Sequence, residues 1–242
     1  MLWSVILAKT TWTEVEALDR EQVVVVPVGG TEQHGPSLPL GTSTYIAQAI
    51  AYGLSMEREH EVVVVPATHY GVSGADKTFA GSVDLGYEAL IATLRAIVAS
   101  MTRHRFRRFL FIVGGKSDTR AAVDVALRTL KDELPNVAFA RSSVTDQSPE
   151  DGRQRAAILL ATHADLVRIQ AGEAPADLRL EDGSESSSAF VYDTDEVSSM
   201  GLSAATGTGA EEARAELTRG VRAASELVTR MRQGRIYVEP VP

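Results

Sequence analysis

Cysteine is absent from this 242-residue chain, which excludes disulfides, thiolate metal sites and cysteine nucleophiles together. No basic stripe offsets the formal net charge of −8, so nucleic acid is not expected as a partner. No apolar run approaches the roughly 18 residues of a membrane-spanning helix, so no membrane partner is expected either. The first residues, Met1 to Trp12, lack a basic leader and a small-residue cleavage site. They read as mature structure in a soluble, cytoplasmic protein. No repeat of fixed period is present. Gly114-Gly115-Lys116-Ser117 ends like a phosphate-binding loop but lacks the earlier glycine at the required spacing, so nucleotide binding is set aside.

What is present is a well-patterned globular chain, 44% hydrophobic and 23% charged. That suffices for a single domain over residues 1–242 with a full core. Thr11 to Leu18 reads as a short helix opened by a Thr cap, with Glu14 as its capping-box partner. Valine-rich Gln22–Val28 and Glu61–Pro66 read as buried parallel strands. Between them Thr42–Leu54 is helical, with Gly53 near its end. Gly86–His104 carries Leu90, Leu94, Ile97, Val98 and Met101 on one stripe, the width that packs on a sheet. Strand Arg107–Val113, helix Thr119–Leu134 and strand Val137–Arg141 follow. Ser148-Pro149 should open another helix that runs to about His163. An acidic, Ser-rich stretch from Ala171 to Ser188 reads as a long loop. Thr208 with Glu211 should cap the last helix, whose apolar face is Leu217, Val221, Ala224, Val228 and Met231. The alternation predicts a three-layer α/β/α fold with a mostly parallel sheet.

In such sheets, sites form outside the carboxyl ends of the strands. Three loops there carry chemistry: Thr31–Ser43 with Glu32 and His34, Thr68–Ser82 with His69, Tyr70, Ser73 and Asp76, and Gly114–Asp118. An acid and an imidazole two residues apart, after a buried strand, suit either a metal or an acid–base pair. The same residues also suit a purely structural role, bonding backbone amides within the loop. His60, His104 and His163 are expected at the surface, and Trp3 and Trp12 in the core or a subunit interface. Ser43 beside His34 is not read as a nucleophile, since an orienting acid and an oxyanion hole are not evident.

The run PVGGTEQHGPSLPLGTS, Pro27 to Ser43, resembles the signature of the creatininase family, metal-dependent amidohydrolases, close to G-[ST]-x-E-Q-H-G-P-H-L-P-L-x-T-D. YGVSGADKTFAGS from Tyr70, FIVGGKSD from Phe111 and DGRQRAAILLATHADLVR from Asp151 are similar, in order, to further family motifs. The resemblance covers nearly the whole chain. It implies a creatininase-like fold, oligomeric assembly and two divalent metals, zinc or manganese. It also implies which positions would hold them. Glu32 and His34 keep a ligand side chain. The other implied ligand positions fall on Ser43, Gly115 and Arg155, Lys116 follows Gly115 directly, and a Glu-His pair in the second loop is Ala75-Asp76.

A divalent ion needs about four donors, mostly anionic or imidazole. The expectation is therefore no cofactor, and a pseudoenzyme subunit that pairs with itself or with an intact creatininase-like paralogue. Lys116 and Arg155 would then lie against Glu32 as an internal ion pair. Two alternatives stay open. One is a divergent hydrolase of a C–N amide or cyclic amide, using zinc or manganese, with Glu32, His34 and Asp76 as catalytic candidates and Asp76 or Asp118 as substitute ligands. The other is a protein that binds a small molecule in the old pocket, with His69, Tyr70 and Ser73 lining it.

Overall fold

A computed structural model describes residues 5–143, 151–168 and 210–234. Its centre is a five-stranded sheet of β1 (Val5–Ile6), β2 (Val23–Val28), β3 (Val62–Val64), β4 (Arg108–Val113) and β5 (Ala138–Ser143). All neighbours are parallel, in the order β1-β3-β2-β4-β5. The helices are α1 (Trp12–Glu16), α2 (Thr42–Glu57), α3 (Gly86–Arg103), α4 (Ser117–Glu133), α5 (Asp151–Thr162) and α6 (Ala210–Arg232).

The valine run of β2 is buried at every residue because both faces of the sheet are covered. Alternate side chains go to opposite layers. Val24, Val26 and Val28 meet Leu90, Leu94 and Val98 of α3 and Ala122 and Val123 of α4. Val23 and Val25 meet Ile46 and Ile50 of α2, Ile158 of α5 and Val221, Ala224 and Val228 of α6. This is the three-layer α/β/α arrangement. No helix among the described residues is long and apolar enough to cross a membrane.

Local signals in the sequence account for most boundaries. Thr11 and Glu14 form the reciprocal capping box at the start of α1. The stripe on α3 is buried at Leu90, Leu94, Val98 and Met101. α2 runs on past Gly53 to Glu57 because the missing side chain there is packing space, not a stop. A Cβ on Gly53 would lie 2.7 Å from Val221 Cγ2. Trp12 is 76% exposed, so it is no core residue of this chain. His60 and His104 are exposed, whereas His163 is half-buried with its ring 4.8 Å from that of Tyr45. Trp3, Ser148, Thr208 and the acidic Ala171–Ser188 stretch lie outside the described residues.

The order of the strands fixes where a site can form. The chain leaves β2 through α2 to reach β3 on one side, then returns through α3 to reach β4 on the other. A crevice therefore opens between the carboxyl ends of β2 and β4. Two glycines let α2 begin directly over it. A Cβ on Gly29, just past β2, would sit 2.1 Å from Thr44 Oγ1, and one on Gly114, just past β4, 2.0 Å from the Ser43 carbonyl oxygen. Ser43, in the first turn of α2, is thereby pressed into the crevice.

Candidate functional site

The loop after β2 folds back on itself, with the Glu32 amide donating to the Leu40 carbonyl at 3.0 Å. That closure points Glu32 and His34 inward, and each is only 1% exposed. Ser43 Oγ donates to Glu32 Oε1 at 2.8 Å and lies 3.0 Å from His34 Nε2. Arg155, from the start of α5, is 2% exposed. Its Nη1 donates to the Gly114 carbonyl at 2.6 Å and to Ser43 Oγ at 3.3 Å. One hydroxyl thus joins an acid, an imidazole and a guanidinium.

A second set of contacts closes the loop Thr68–Ser82 over this cluster. Asp76 sits in a 3-10 turn, Gly74–Thr78. Its Oδ2 accepts from Lys116 Nζ at 2.7 Å and its Oδ1 from Gln33 Nε2 at 2.9 Å. Lys116 is the residue that opens α4. Its ion-pair partner is therefore Asp76, where the sequence pointed to Glu32. Asp118 accepts from the Tyr87 hydroxyl at 2.5 Å. Ser73 is buried and spends its amide and hydroxyl on Asp84 Oδ1 and the Val83 carbonyl. His69 and Tyr70 are exposed.

Proton positions follow from the hydroxyl's inventory. Ser43 has one proton, which goes to Glu32, so it must accept from His34 Nε2–H. That leaves His34 Nδ1 as a bare acceptor, buried and without a partner among the described residues. Burial, with Arg155 and Lys116 adding to it, holds the His34 imidazole well below the ordinary histidine range. His34 is therefore neutral, and its 3.7 Å approach to Glu32 Oε1 is not an ion pair. Burial pushes the Glu32 carboxyl up from its usual range, against the opposing pull of Lys116, the Ser43 hydrogen bond and Arg155. The Asp118 hydrogen bond pushes the Tyr87 phenol up to about 12.

Whether this donor set suits a divalent ion can be tested position by position. Glu32 and His34 offer one carboxylate and one imidazole, already turned onto Ser43. Position 115 has no side chain, and a Cβ there would lie 2.6 Å from Thr119 Cγ2, so Thr119 fills that space. Lys116 and Arg155 bring positive charge to the same crevice. Asp76 is engaged by Lys116 and Gln33, and Asp118 by Tyr87. Among the described residues, no three His, Asp or Glu side chains form a group that could hold a metal. These residues do not fit a dimetal centre.

Two residues in the site were not singled out from the sequence. Gln33 lies between the acid and the imidazole; besides reaching Asp76 it accepts the Gly35 amide at 2.9 Å. Thr119 is buried on α4 and bonds both the amide and the carbonyl of Val72. A polar residue at 0% exposure on the sheet-facing side of a helix is the kind of signal that only burial reveals.

Comparison with known proteins agrees with the fold and the loop motifs. The family model Creatininase, described as creatinine amidohydrolase, matches residues 8–228. A mycofactocin precursor peptide peptidase of Mycolicibacterium smegmatis is 35% identical over 150 residues, 60% of each chain. A creatinine amidohydrolase of Pseudomonas putida is 28% identical over 138 residues, 53% of this chain and 52% of that one. The matched stretches thus span only part of these relatives' own length. Among solved structures, a Bacteroides fragilis protein assigned as a creatinine amidohydrolase superposes with a TM-score of 0.72 at 19% identity, covering 98% of this chain and 100% of that one. A creatininase solved with manganese gives 0.68 at 23% identity, covering 93% and 97%. At such identities the structures speak to fold.

Proposed function

The chain belongs to the creatininase family, and we propose that it is a non-catalytic member, a structural or regulatory subunit that assembles with itself or with an intact relative. The observation that carries this reading is the closure of Glu32, Ser43 and His34 on one another at 1% exposure or less. Metal-assisted amide hydrolysis needs a metal-activated water with open space around it. Here the surviving acid and imidazole are turned onto a serine hydroxyl, beneath a loop latched by Asp76, Lys116 and Gln33.

The test is the metal content and amidase activity of the purified protein. After dialysis, zinc and manganese should be substoichiometric, and added metal should not produce hydrolysis of creatinine or of a peptide bond. A full equivalent of either metal together with turnover would sink the proposal. The subunit reading makes its own claim: an intact homologue should co-purify, or the chain should run as an oligomer by itself. A second reading, hydrolysis of a C–N amide bond, draws support from the names of the relatives, a peptidase and an amidohydrolase. It requires Asp76 to leave Lys116, or Asp118 to leave Tyr87, and turn towards Glu32.

A further inference from the structure

We infer that residues 74–82 form a flap fastened over the crevice by one carboxylate, Asp76. The clamp that holds it, Lys116 Nζ with Gln33 Nε2, is a binding site for a small carboxylate, filled here by the chain's own aspartate. The inference goes beyond the non-catalytic reading and does not depend on it.

The segment has a firm neck and a loose body. At the neck, the Ser73 amide and hydroxyl donate to Asp84 Oδ1 and the Val83 carbonyl, and the Val83 amide donates to the Thr31 carbonyl at 2.9 Å. Thr119 holds Val72 from the α4 side. Ends tied this closely around a short surface segment make an Ω-loop. Gly74 and Gly81 sit at φ +52° and +84°, so the chain turns sharply at both ends of the body. No residue from 74 to 82 is buried. The backbone bonds of the body run within it or back to the neck: Asp76 N to Ser73 O, Phe79 N to Asp76 O and Ser82 N to Phe79 O. Among the described residues, the hydrogen bonds that cross from the body to the crevice both end on Asp76. A segment with so few buried contacts opens at low cost.

The two donors that hold Asp76 are set for a carboxylate. Lys116 Nζ reaches Oδ2 at 2.7 Å and Gln33 Nε2 reaches Oδ1 at 2.9 Å, one donor for each oxygen. The Gly35 amide donates to Gln33 Oε1, which keeps the nitrogen of that side chain turned to Asp76. Both donors belong to other elements, the start of α4 and the loop after β2, so they stay when the flap leaves. A spherical anion satisfies such a divided pair less well than a planar group with two oxygens. The paired side chains are 14% and 15% exposed, which shields the bond from water. Opening bares Gln33, which lies between Glu32 and His34, so the same clamp governs access to their cluster.

The experiment uses the purified full chain and two readouts. One is trypsin cleavage after Lys77, an exposed residue of the flap, located by mass spectrometry; the other is melting temperature. Asp76→Ala should be cut after Lys77 about 10-fold faster than native or more, as the loss of a charge-assisted hydrogen bond implies. Lys116→Met should speed the cut as well. Asp76→Ala also empties the clamp. Sodium acetate should then raise its melting temperature saturably, by about 2 °C or more over sodium chloride at equal ionic strength. Acetate should not slow the cut, because it carries no tether to the flap. Native protein should show no acetate gain, since the tethered carboxylate outcompetes it, and neither should Asp76→Ala combined with Lys116→Met. If Asp76→Ala does not fold, Asp76→Ser carries both measurements. An unchanged cleavage rate after Lys77 would overturn the flap. An acetate gain that is absent, or is matched by chloride or by the double variant, would overturn the carboxylate site. Neither result would touch the non-catalytic reading, which falls instead if native protein carries metal and turns over an amide.

Discussion

The loop after β2 and the elements that face it, the loop after β4 and the start of α5, present opposite chemistry across Ser43. The β2 loop offers an acid and an imidazole in a family-like run. The facing side offers Lys116 and Arg155. One side alone reads as half of a metal site, and the other brings positive charge to the same crevice. Within the first loop, Glu32 and His34 are held by the Ser43 hydroxyl, and the loop is tied by the Glu32–Leu40 and Gln33–Gly35 hydrogen bonds.

The sharpest way to break this comparison is to separate the two sides. Gly114→Ala would place a Cβ 2.0 Å from the Ser43 carbonyl oxygen, backbone against side chain. Denaturant unfolding should show a loss above about 4 kcal/mol, or no folded protein. Arg155→Met removes the cation that spans Gly114 and Ser43 and leaves Glu32 less compensated. A loss of about 3–5 kcal/mol is expected in the same assay. An unchanged midpoint would mean that the two sides do not depend on each other. Lys116→Ala should cost less, about 1–2 kcal/mol, because Gln33 still donates to Asp76 and the pair is partly open to water.

Acid titration sharpens the same contrast. His34 has a lowered folded-state pKa, so the unfolded chain binds its proton first. Its stabilising share is present above the ordinary histidine value of 6.5 and is lost as the pH falls below it. Glu32 has a raised pKa, so its effect has the other sign: stability falls as the pH climbs from 4.5 through the raised value. The two slopes oppose each other in the mildly acidic range. His34→Gln should remove the acid-side loss and leave stability that declines with rising pH there, as followed by melting temperature. A steeper acid loss in that variant would contradict the assignment of a neutral His34. The smallest effect belongs far from the crevice. Thr11→Ala removes the α1 capping box and should cost about 1 kcal/mol or less at an exposed helix end, with no change in the behaviour of the site.

The sequence made the layers legible because buried parallel strands and stripe-bearing helices have strong periods, as in Val23–Val28 and the α3 face. β1 was not anticipated, since two residues carry no period. Trp12, expected in the core or a subunit interface, lies exposed on a five-residue helix, which takes it out of this chain's core. At the site, the altered positions Ser43, Gly115, Lys116 and Arg155 stood out against the family pattern. Their partners did not. Arg155 bonds the carbonyl of Gly114, a backbone atom that no side-chain pattern announces. Lys116 found Asp76 because the 3-10 turn brings that acid over the crevice, a detail of loop path with no sequence period.

The central claim is that the crevice is complete without metal, and the melting temperature of the native protein tests it most directly. Measured as purified, after exhaustive chelation, and with excess Zn2+ or Mn2+, the three values should coincide. A fall on chelation that either ion reverses would contradict the account.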